Sequence, residues 1–566
     1  MHPNGHAGPY RQGSPICPGG KRMRGLMQNW PMTLDRILAH AASTSGSRRI
    51  AMQRPDGSIT ASDYASLQDE AKALSAALAA YGIGLGDRIG TLLWNDLPHM
   101  TVWYGAMGIG AVVHTLNPRF DAVRLAWLIN HAGDRLLVVD AQFADTLRQV
   151  ADRLPTVEHI VIASGKGAAL PIGTIAVSSL EDFLGAGDPS AAVWGGFDEE
   201  TAAGLCYTSG TTGDPKGVLY SHRSNFLHAL CSNQPNGFAI AATDVVLPIV
   251  PMFHANAWGW TYIAPMAGAG LVLPGPRLDG ASLQRLIVAE GVTFAAAVPT
   301  VWQDLLRHVR ETGASLGRLA RVLVGGAAVP SEMVRAFRED LGIEVMHGWG
   351  MTELSPLGAI SSVMPDEAAL TAQEVVSRKA RQGRALFPVE ARIVGADDKE
   401  CPHDDATPGS LQVRGPAVVR RYYGAEEDAV DAEGWFDTGD IAVIDGHGFI
   451  KLVDRAKDVV KSGGEWISSV ELENHAMGCP GVRRAAVIAI PDPRWGERPL
   501  LIAECDEGDG PSDESILAHL RPLVPKYWLP ERIVFASVPL GATGKIDKLA
   551  LRRLFAQPLQ IEAVND

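Results

Sequence analysis

The sequence predicts an α/β protein of at least two domains, and three observations lead there. Its 566 residues exceed what a single hydrophobic core serves. From about Pro31, short apolar runs of strand length alternate with segments of helical periodicity, the βαβ rhythm of mostly parallel sheets wrapped by helices. Beyond about Gly383 the runs shorten and turn residues crowd between them, which marks a β-rich subdomain, and a small α+β unit follows Asp454.

Residues 1–26 stand apart. MHPNGHAGPYRQGSPICPGGKRMRG is rich in Gly and Pro and has no apolar signal-peptide core, so it reads as a disordered extension, with Met23 or Met27 as alternative starts. The first helix with a clear apolar stripe carries Leu67, Ala71, Leu74, Leu78 and Tyr81, with Ser62 placed to cap it and Gly82 to end it. Strands follow at Arg88–Leu93, Leu136–Asp140 and His159–Ala163. The rhythm resumes with strands at Val245–Val250, Thr293–Val298 and Arg321–Val324, and with helices near Gly280–Glu290, Thr300–Arg310 and Pro330–Leu341. Shorter strands at Ala391–Val394 and Leu411–Arg414 build the subdomain. Ala485–Ile490, Leu500–Glu504 and a helix near Glu514–Leu523 build the last unit.

Composition narrows the function. Hydrophobic residues make up 46% and charged residues 20%, ordinary for a globular protein. A formal net charge of −14 argues against a basic nucleic-acid-binding face. Six cysteines are scattered without a CxxC pair, so neither a zinc site nor a disulfide framework is indicated, and a reducing cytoplasm fits. No apolar run approaches the ~18 residues that cross a bilayer.

Between the two stretches of α/β rhythm lies YTSGTTGDPKG, Tyr207–Gly217. Ser209, Thr211 and Thr212 offer hydroxyls, Gly210, Gly213 and Gly217 let the backbone turn, and Lys216 adds a cation. Such a loop can aim several donors at a polyphosphate. It departs from a Walker A loop, because its lysine follows Pro215 and precedes Gly217. Alone, it reads equally as a flexible surface loop.

Four further stretches suit the same chemistry. In HGWGMTE, His347–Glu353, the glycines allow close backbone approach, Trp349 offers a stacking face and Glu353 a hard oxygen ligand for Mg²⁺. WFDTGD places Asp440 at a strand entrance, where a carboxylate can grip ribose hydroxyls. DRAKDVVKSGGEW, from Asp454 to Trp466, sits at the boundary of the last unit, and ATGKIDK carries Lys545 near the C-terminus. Each has a plain alternative: a turn, a linker, a surface lysine.

Together, in this order, these strings resemble the adenylate-forming superfamily of acyl-CoA synthetases, luciferases and peptide-synthetase adenylation domains. The resemblance runs from about Met27 to Arg553. It is strongest to bacterial medium- and long-chain fatty acyl-CoA synthetases and 3-methylmercaptopropionate-CoA ligases, through YTSGTTGDPKGVLYSHRS, PMFHANAWG, LPGPRLDG and KSGGEWISSVELEN. It implies a large N-terminal domain over 27–453 and a small mobile C-terminal domain over 454–566 that rotates about Asp454.

The resemblance also implies a reaction and its residues. A carboxylic acid attacks the α-phosphate of Mg·ATP, pyrophosphate leaves, and the thiol of coenzyme A then displaces AMP. Thr208, Ser209, Gly210, Thr211, Thr212, Gly213 and Lys216 cradle phosphates, and Thr208 and Glu353 share the Mg²⁺. Gly325, Gly326 and Ala327, with His347, Gly348, Trp349, Gly350, Met351 and Thr352, border the nucleotide. Asp440 and Arg455 hold the ribose. Lys545 balances charge at the α-phosphate, and His254 belongs to the catalytic set. Lys461, Ser462, Gly463, Gly464 and Trp466 face coenzyme A. Trp258 gates an acyl pocket shared with Trp260, Val298, Trp302 and Gly325, and Phe253 and His254 stand where amino-acid-activating domains place an aspartate. The implied partners are a small hydrophobic acid, ATP and coenzyme A, with a homodimer allowed. Branched, methylthio- or aryl-alkanoic acids, a carrier-protein thiol acceptor, luciferase-like oxidation and a nucleotide-binding regulator are the alternatives.

Overall fold

Strand order, more than helix count, places the functional strings. The computed structural model describes residues 26–164, 172–208, 215–463, 465–505, 510–541 and 546–555. The expected N-terminal extension falls outside these apart from its last position, and residues 26–31 carry neither helix nor strand. Every helix and strand among the described residues belongs to the unit that begins at Met32.

Among the described residues, one seven-stranded sheet runs in the order Ala176–Ser179, His159–Ser164, Leu136–Asp140, Arg88–Leu92, Val112–Thr115, Ala202–Tyr207, Gly217–Ser221. All neighbours are parallel except the last pair, which the Gly/Thr loop joins as an antiparallel hairpin. The central strands are buried on both faces. Val138 and Val161 point into one core while Leu137, Val139 and Ile160 point into another with helix Ala122–Ala132.

A thirteen-stranded sheet holds the second α/β stretch. Its parallel part runs Glu344–Gly350, Arg321–Gly325, Phe294–Ala297, Val245–Pro248, Gly270–Leu273, Arg49–Gln53. One face packs toward the seven-stranded sheet through Leu271, Phe294 and Leu323. The other is covered by Gly280–Ala289 and Pro299–Thr312, whose Leu283, Leu286, Trp302 and Leu305 meet Val322 and Val324. The expected β-rich subdomain is not a separate sheet. Its strands Glu390–Val394, Gly409–Arg414, Phe436–Ile444 and Phe449–Arg455 extend the large one through Gly383–Ala385, all antiparallel.

The C-terminal unit has its own sheet, ordered Glu465–Ile467, Val460–Ser462, Gly496–Cys505, Val482–Asp492, with Arg532–Phe535 also on Gly496–Cys505. Two local expectations are corrected. Asp63, not Ser62, caps helix Tyr64–Ala80 by accepting from the Ser66 N–H at 2.8 Å, because Ser62 is committed to pairing with Ile50. The helix expected over Pro330–Leu341 is an α segment, Ser331–Arg335, that widens into a π turn at Ala336–Asp340.

Candidate active site

The ends of the Gly/Thr loop are closed by the hairpin that carries it. Thr208 N–H donates to the Lys216 carbonyl at 2.9 Å, and Tyr207 pairs with Gly217. Ser209, Gly210, Thr211, Thr212 and Gly213 lie outside the described residues, as do Gly464 and Lys545. Just before the loop, the Tyr207 hydroxyl and His131 Nδ1 are 2.7 Å apart. Tyr207 also lines a cleft with Thr115, Asn117, Phe120, Phe253 and His254.

Lys216 leads across to the carboxylate turn. Its ammonium sits 4.8 Å from the centre of the Tyr422 ring, and the Tyr422 hydroxyl donates to Glu353 Oε1 at 2.9 Å. Burial, then the Glu353 carboxylate, push the pKa of that phenol up, so it remains a donor. Glu353 lies in the 3₁₀ turn Thr352–Leu354 and is 6% exposed. Val419 N–H donates to its carbonyl at 2.7 Å, and Tyr220 donates to the Thr352 carbonyl at 2.8 Å. Tyr422 escaped the sequence reading because nothing around it forms a motif; only the return of the chain beside the loop gives it a role.

The string HGWGMTE is strand as far as Gly350, not a turn throughout. Its register sets Gly348 opposite Gly325. A Cβ at Gly325 would lie 2.7 Å from the Gly348 carbonyl oxygen and 3.1 Å from Trp258 Cη2, so only glycine lets the indole lie that close. Gly350 is equally restricted: a Cβ there would run into the Pro356 carbonyl oxygen, to which Met351 N–H donates at 3.0 Å. His347 is buried and donates through Nδ1 to the Ala380 carbonyl at 2.9 Å. Burial drops its pKa to about 4, so the ring is neutral, and it faces the backbone of Ala327 beside Gly326.

Asp440 is corrected from strand entrance to mid-strand. It lies inside Phe436–Ile444, 2% exposed. Trp349 Nε1 donates to its Oδ2 at 3.1 Å and Arg455 Nε lies 2.6 Å from its Oδ1. Asp454, the preceding residue, is no solvated linker either. Its backbone pairs with Ile441 in the large sheet, while its Oδ2 accepts from the Ser469 N–H at 2.6 Å at the start of helix Ser469–Met477.

Trp258 is held on an unusual support. Ala255, Asn256, Ala257, Trp258 and Gly259 have φ of 46°, 60°, 48°, 55° and 81°, one left-handed turn. Each non-glycine residue there costs roughly 1–2 kcal/mol. Buried bonds hold it: Asn256 Nδ2 donates to Asn225 Oδ1 at 3.3 Å, and Thr261 Oγ1 donates to the Asn256 carbonyl at 3.3 Å.

Two expected pocket residues are fully buried, one of them in a different core. Trp302 is fully buried in the core on the other face of the large sheet, edge-on to Phe337, its N–H donated to the Leu323 carbonyl at 3.1 Å. Trp260 is fully buried, 4.7 Å from Phe294 and 5.7 Å from Phe238. Val298 caps helix Pro299–Thr312 and is half-buried. Lys461, Ser462, Gly463 and Trp466 form a hairpin of the small sheet with Gly463 at φ 61°. Lys461 N–H bonds Glu497, Arg498 Nη1 lies 3.3 Å from Ser462 Oγ, Gly463 N–H bonds the Trp495 carbonyl, and Trp466 is 41% exposed.

The arrangement offers one buried carboxylate and a cation at a loop mouth, with a second carboxylate pinned on a strand. No group of three or more metal-ligating side chains occurs among the described residues. That donor set fits Mg²⁺, which keeps water and substrate oxygens and takes one or two carboxylates. No helix among them is long and apolar enough to cross a membrane.

Known proteins share this organisation. Residues 38–423 match the family model described as AMP-binding enzyme, and residues 471–545 the model described as AMP-binding enzyme C-terminal domain. A 3-methylmercaptopropionyl-CoA ligase of Ruegeria lacuscaerulensis is 43% identical over 538 residues, 95% of this chain and 100% of the relative. A medium-chain-fatty-acid–CoA ligase of Ectopseudomonas oleovorans is 40% identical over 538 residues, covering 95% and 98%. The crystal structure of an anthranilate CoA ligase with anthranoyl-AMP shares the fold at a TM-score of 0.82 and 22% identity, covering 93% and 97% of the two chains.

Proposed function

The chain belongs to the AMP-binding enzyme family, and we propose that it joins a hydrophobic monocarboxylic acid to coenzyme A through an acyl-adenylate. It is an AMP-forming acid–CoA ligase using ATP, Mg²⁺ and coenzyme A. The observation that carries our assignment of roles is the run Lys216–Tyr422–Glu353, which joins the Gly/Thr loop to the carboxylate turn.

In the first half-reaction a carboxylate oxygen of the acid forms a bond to the α-phosphorus and the bond to pyrophosphate breaks. Lys216 and the loop backbone receive the phosphates, with Thr208 and Glu353 as the residues that would hold Mg²⁺. When bound, the ion neutralises phosphate charge. Asp440, oriented by Trp349 and Arg455, holds the ribose, and the backbone at Gly325–Ala327 and Gly348–Met351 borders the base. Lys545 stabilises charge where the acid meets phosphorus, worth about 3–4 kcal/mol for one such donor. In the second half-reaction the thiol sulfur attacks the acyl carbon, AMP leaves, and the thiol proton is lost to solvent. The hairpin of Lys461, Ser462, Gly463, Gly464 and Trp466 guides the thiol after the small domain turns at Asp454.

Trp258 and Gly325 border the acid, with His254 nearby; Trp260 and Trp302 stay with the cores that bury them. We place the enzyme in the cytoplasm, where its free cysteines stay reduced. A pyrophosphate-release screen over straight-chain, methylthio- and arylpropionic acids, with coenzyme A present, tests the reading. Acid-dependent release with matching thioester is expected, and release with no acid preference among the three classes counts against a shaped acyl site.

A further inference from the structure

Helix Lys548–Phe555 begins just after the position of Lys545, and its first residue packs against helix Ser469–Met477 through Ser469 and Glu473. Lys548 Nζ lies 2.7 Å from Glu473 Oε1 and donates to Ser469 Oγ at 2.5 Å. Ser469 in turn gives its backbone N–H to Asp454 Oδ2. Glu473 Oε1 also accepts from the Val487 N–H at 2.7 Å, so the cluster reaches strand Val482–Asp492 of the small sheet. The Lys548 and Glu473 side chains are 13% and 9% exposed. Burial raises the pKa of both Asp454 and Glu473. It lowers that of Lys548, but Glu473, Asp454 and Asp458 together outweigh it, so the ammonium stays charged.

A second fastening lies one helical turn on, where Arg552 reaches the Asp458 carboxylate and the Lys457 carbonyl. The chain leading into the helix is closed as well. Leu540 bridges Ile546, Asp547 N–H donates to the Pro539 carbonyl at 2.9 Å, and Asp547 Oδ1 accepts from the Ala550 N–H at 2.9 Å. An apolar pair would hold this helix on the sheet at less desolvation cost. Buried ion pairs stabilise little, and their best-attested use is to fix register.

We infer that Lys548 is a positioning residue: through Ser469 and Glu473 it ties the start of helix Lys548–Phe555, three residues after Lys545, to the helix that holds the Asp454 carboxylate. This rests on the roles proposed above for Lys545 and Asp454. Asp454 has its backbone in the large sheet and its side chain bonded to the start of helix Ser469–Met477, so this cluster links the pivot to the helix that follows Lys545.

The experiment uses the full chain carrying Lys548→Met, Lys548→Arg or Lys545→Ala. The acid is whichever of octanoate, 3-methylthiopropanoate and 3-phenylpropanoate the unmodified enzyme uses fastest. Readouts are acid-dependent ATP–pyrophosphate exchange, KM for ATP, and thioester formation from preformed acyl-adenylate. Lys548→Met should lose at least about tenfold in exchange, since a misplacement near 1 Å costs up to ~100-fold. Its KM for ATP and its thioester step should stay within about threefold of the unmodified enzyme, and Lys548→Arg should restore exchange. Should Lys548→Met not fold, Glu473→Gln carries the same expected split. Normal exchange in Lys548→Met, or an equal fall in both half-reactions, overturns the inference. Exchange that survives Lys545→Ala overturns it together with the role of Lys545, and so is told apart from failure of Lys548 alone.

Discussion

Arg455 Nε lies 2.6 Å from Asp440 Oδ1, and the two residues are also register partners across neighbouring strands. The carboxylate proposed to hold the ribose and the residue after the proposed pivot are thereby joined across one strand pair. Rotation at Asp454 would draw the guanidinium away and leave Asp440 to the Trp349 indole. Asp440→Asn should raise the KM for ATP by about 10–100-fold, the worth of ~1.5–3 kcal/mol for a hydrogen bond to a charged group. Steady-state kinetics with ATP varied would show it, and an unchanged KM would remove Asp440 from the nucleotide site.

Substitutions at Glu353 and Tyr422 should separate metal binding from metal tuning. Glu353→Gln should lose at least about 100-fold in turnover and need more Mg²⁺, whereas Tyr422→Phe should lose about 10-fold, as partners of ligating groups do. Titrating Mg²⁺ at saturating ATP distinguishes them. Equal Mg²⁺ curves for Glu353→Gln and the unmodified enzyme would refute the metal role.

Gly325→Ala adds a methyl 2.7 Å from the Gly348 carbonyl oxygen and 3.1 Å from Trp258 Cη2. Overpacking of this kind costs about 1–3 kcal/mol. A lower thermal midpoint and a raised KM for the acid are expected. Adding Trp258→Ala should recover the KM but not the midpoint, because the backbone contact remains. Full recovery of both would place the strain on the indole alone.

Acid should destabilise the fold before it titrates most carboxylates. Burial lowers the pKa of His99 and His347 to about 4 and of His222 and His228 to about 3, from an ordinary 6.5. Below pH 6.5 the unfolded chain binds protons that the folded chain refuses, so stability falls as pH drops from 6.5 toward 4. Each histidine contributes up to about 1.4 kcal/mol per pH unit. Asp96 works the other way: burial raises its pKa to about 7, so the folded state keeps a proton that the unfolded state has lost above 3.8. Its contribution is greatest at low pH and fades as pH rises to 7. Asp35, Glu70, Asp134, Asp454 and Glu473, also raised by burial, act in the same sense as Asp96, and His159 in the same sense as the four histidines. With the histidines dominant, the urea midpoint should be lower at pH 5 than at pH 7.5. A flat profile would mean these imidazoles reach water.

Legibility from sequence followed local chemistry. The strands Leu136–Asp140 and Arg321–Gly325 announced themselves by apolar runs, and the Gly/Thr loop by hydroxyls and glycines packed into one turn. Glu353, Asp440 and Lys216 stood out as candidates because each belongs to a short string whose residue types suit one chemistry. Trp302 was misplaced because a large indole near a motif looks the same whether it faces a ligand or a core.

Amino-acid order alone determined the alternation of elements, the family and the polar groups available for phosphate and metal, since these depend on neighbours along the chain. Tertiary structure decided the rest: Tyr422 between Lys216 and Glu353, Gly325 beneath Trp258, Lys548 between Ser469 and Glu473. Those contacts join residues far apart in the chain, and burial and register across sheets, which no local pattern encodes, set which of them meet.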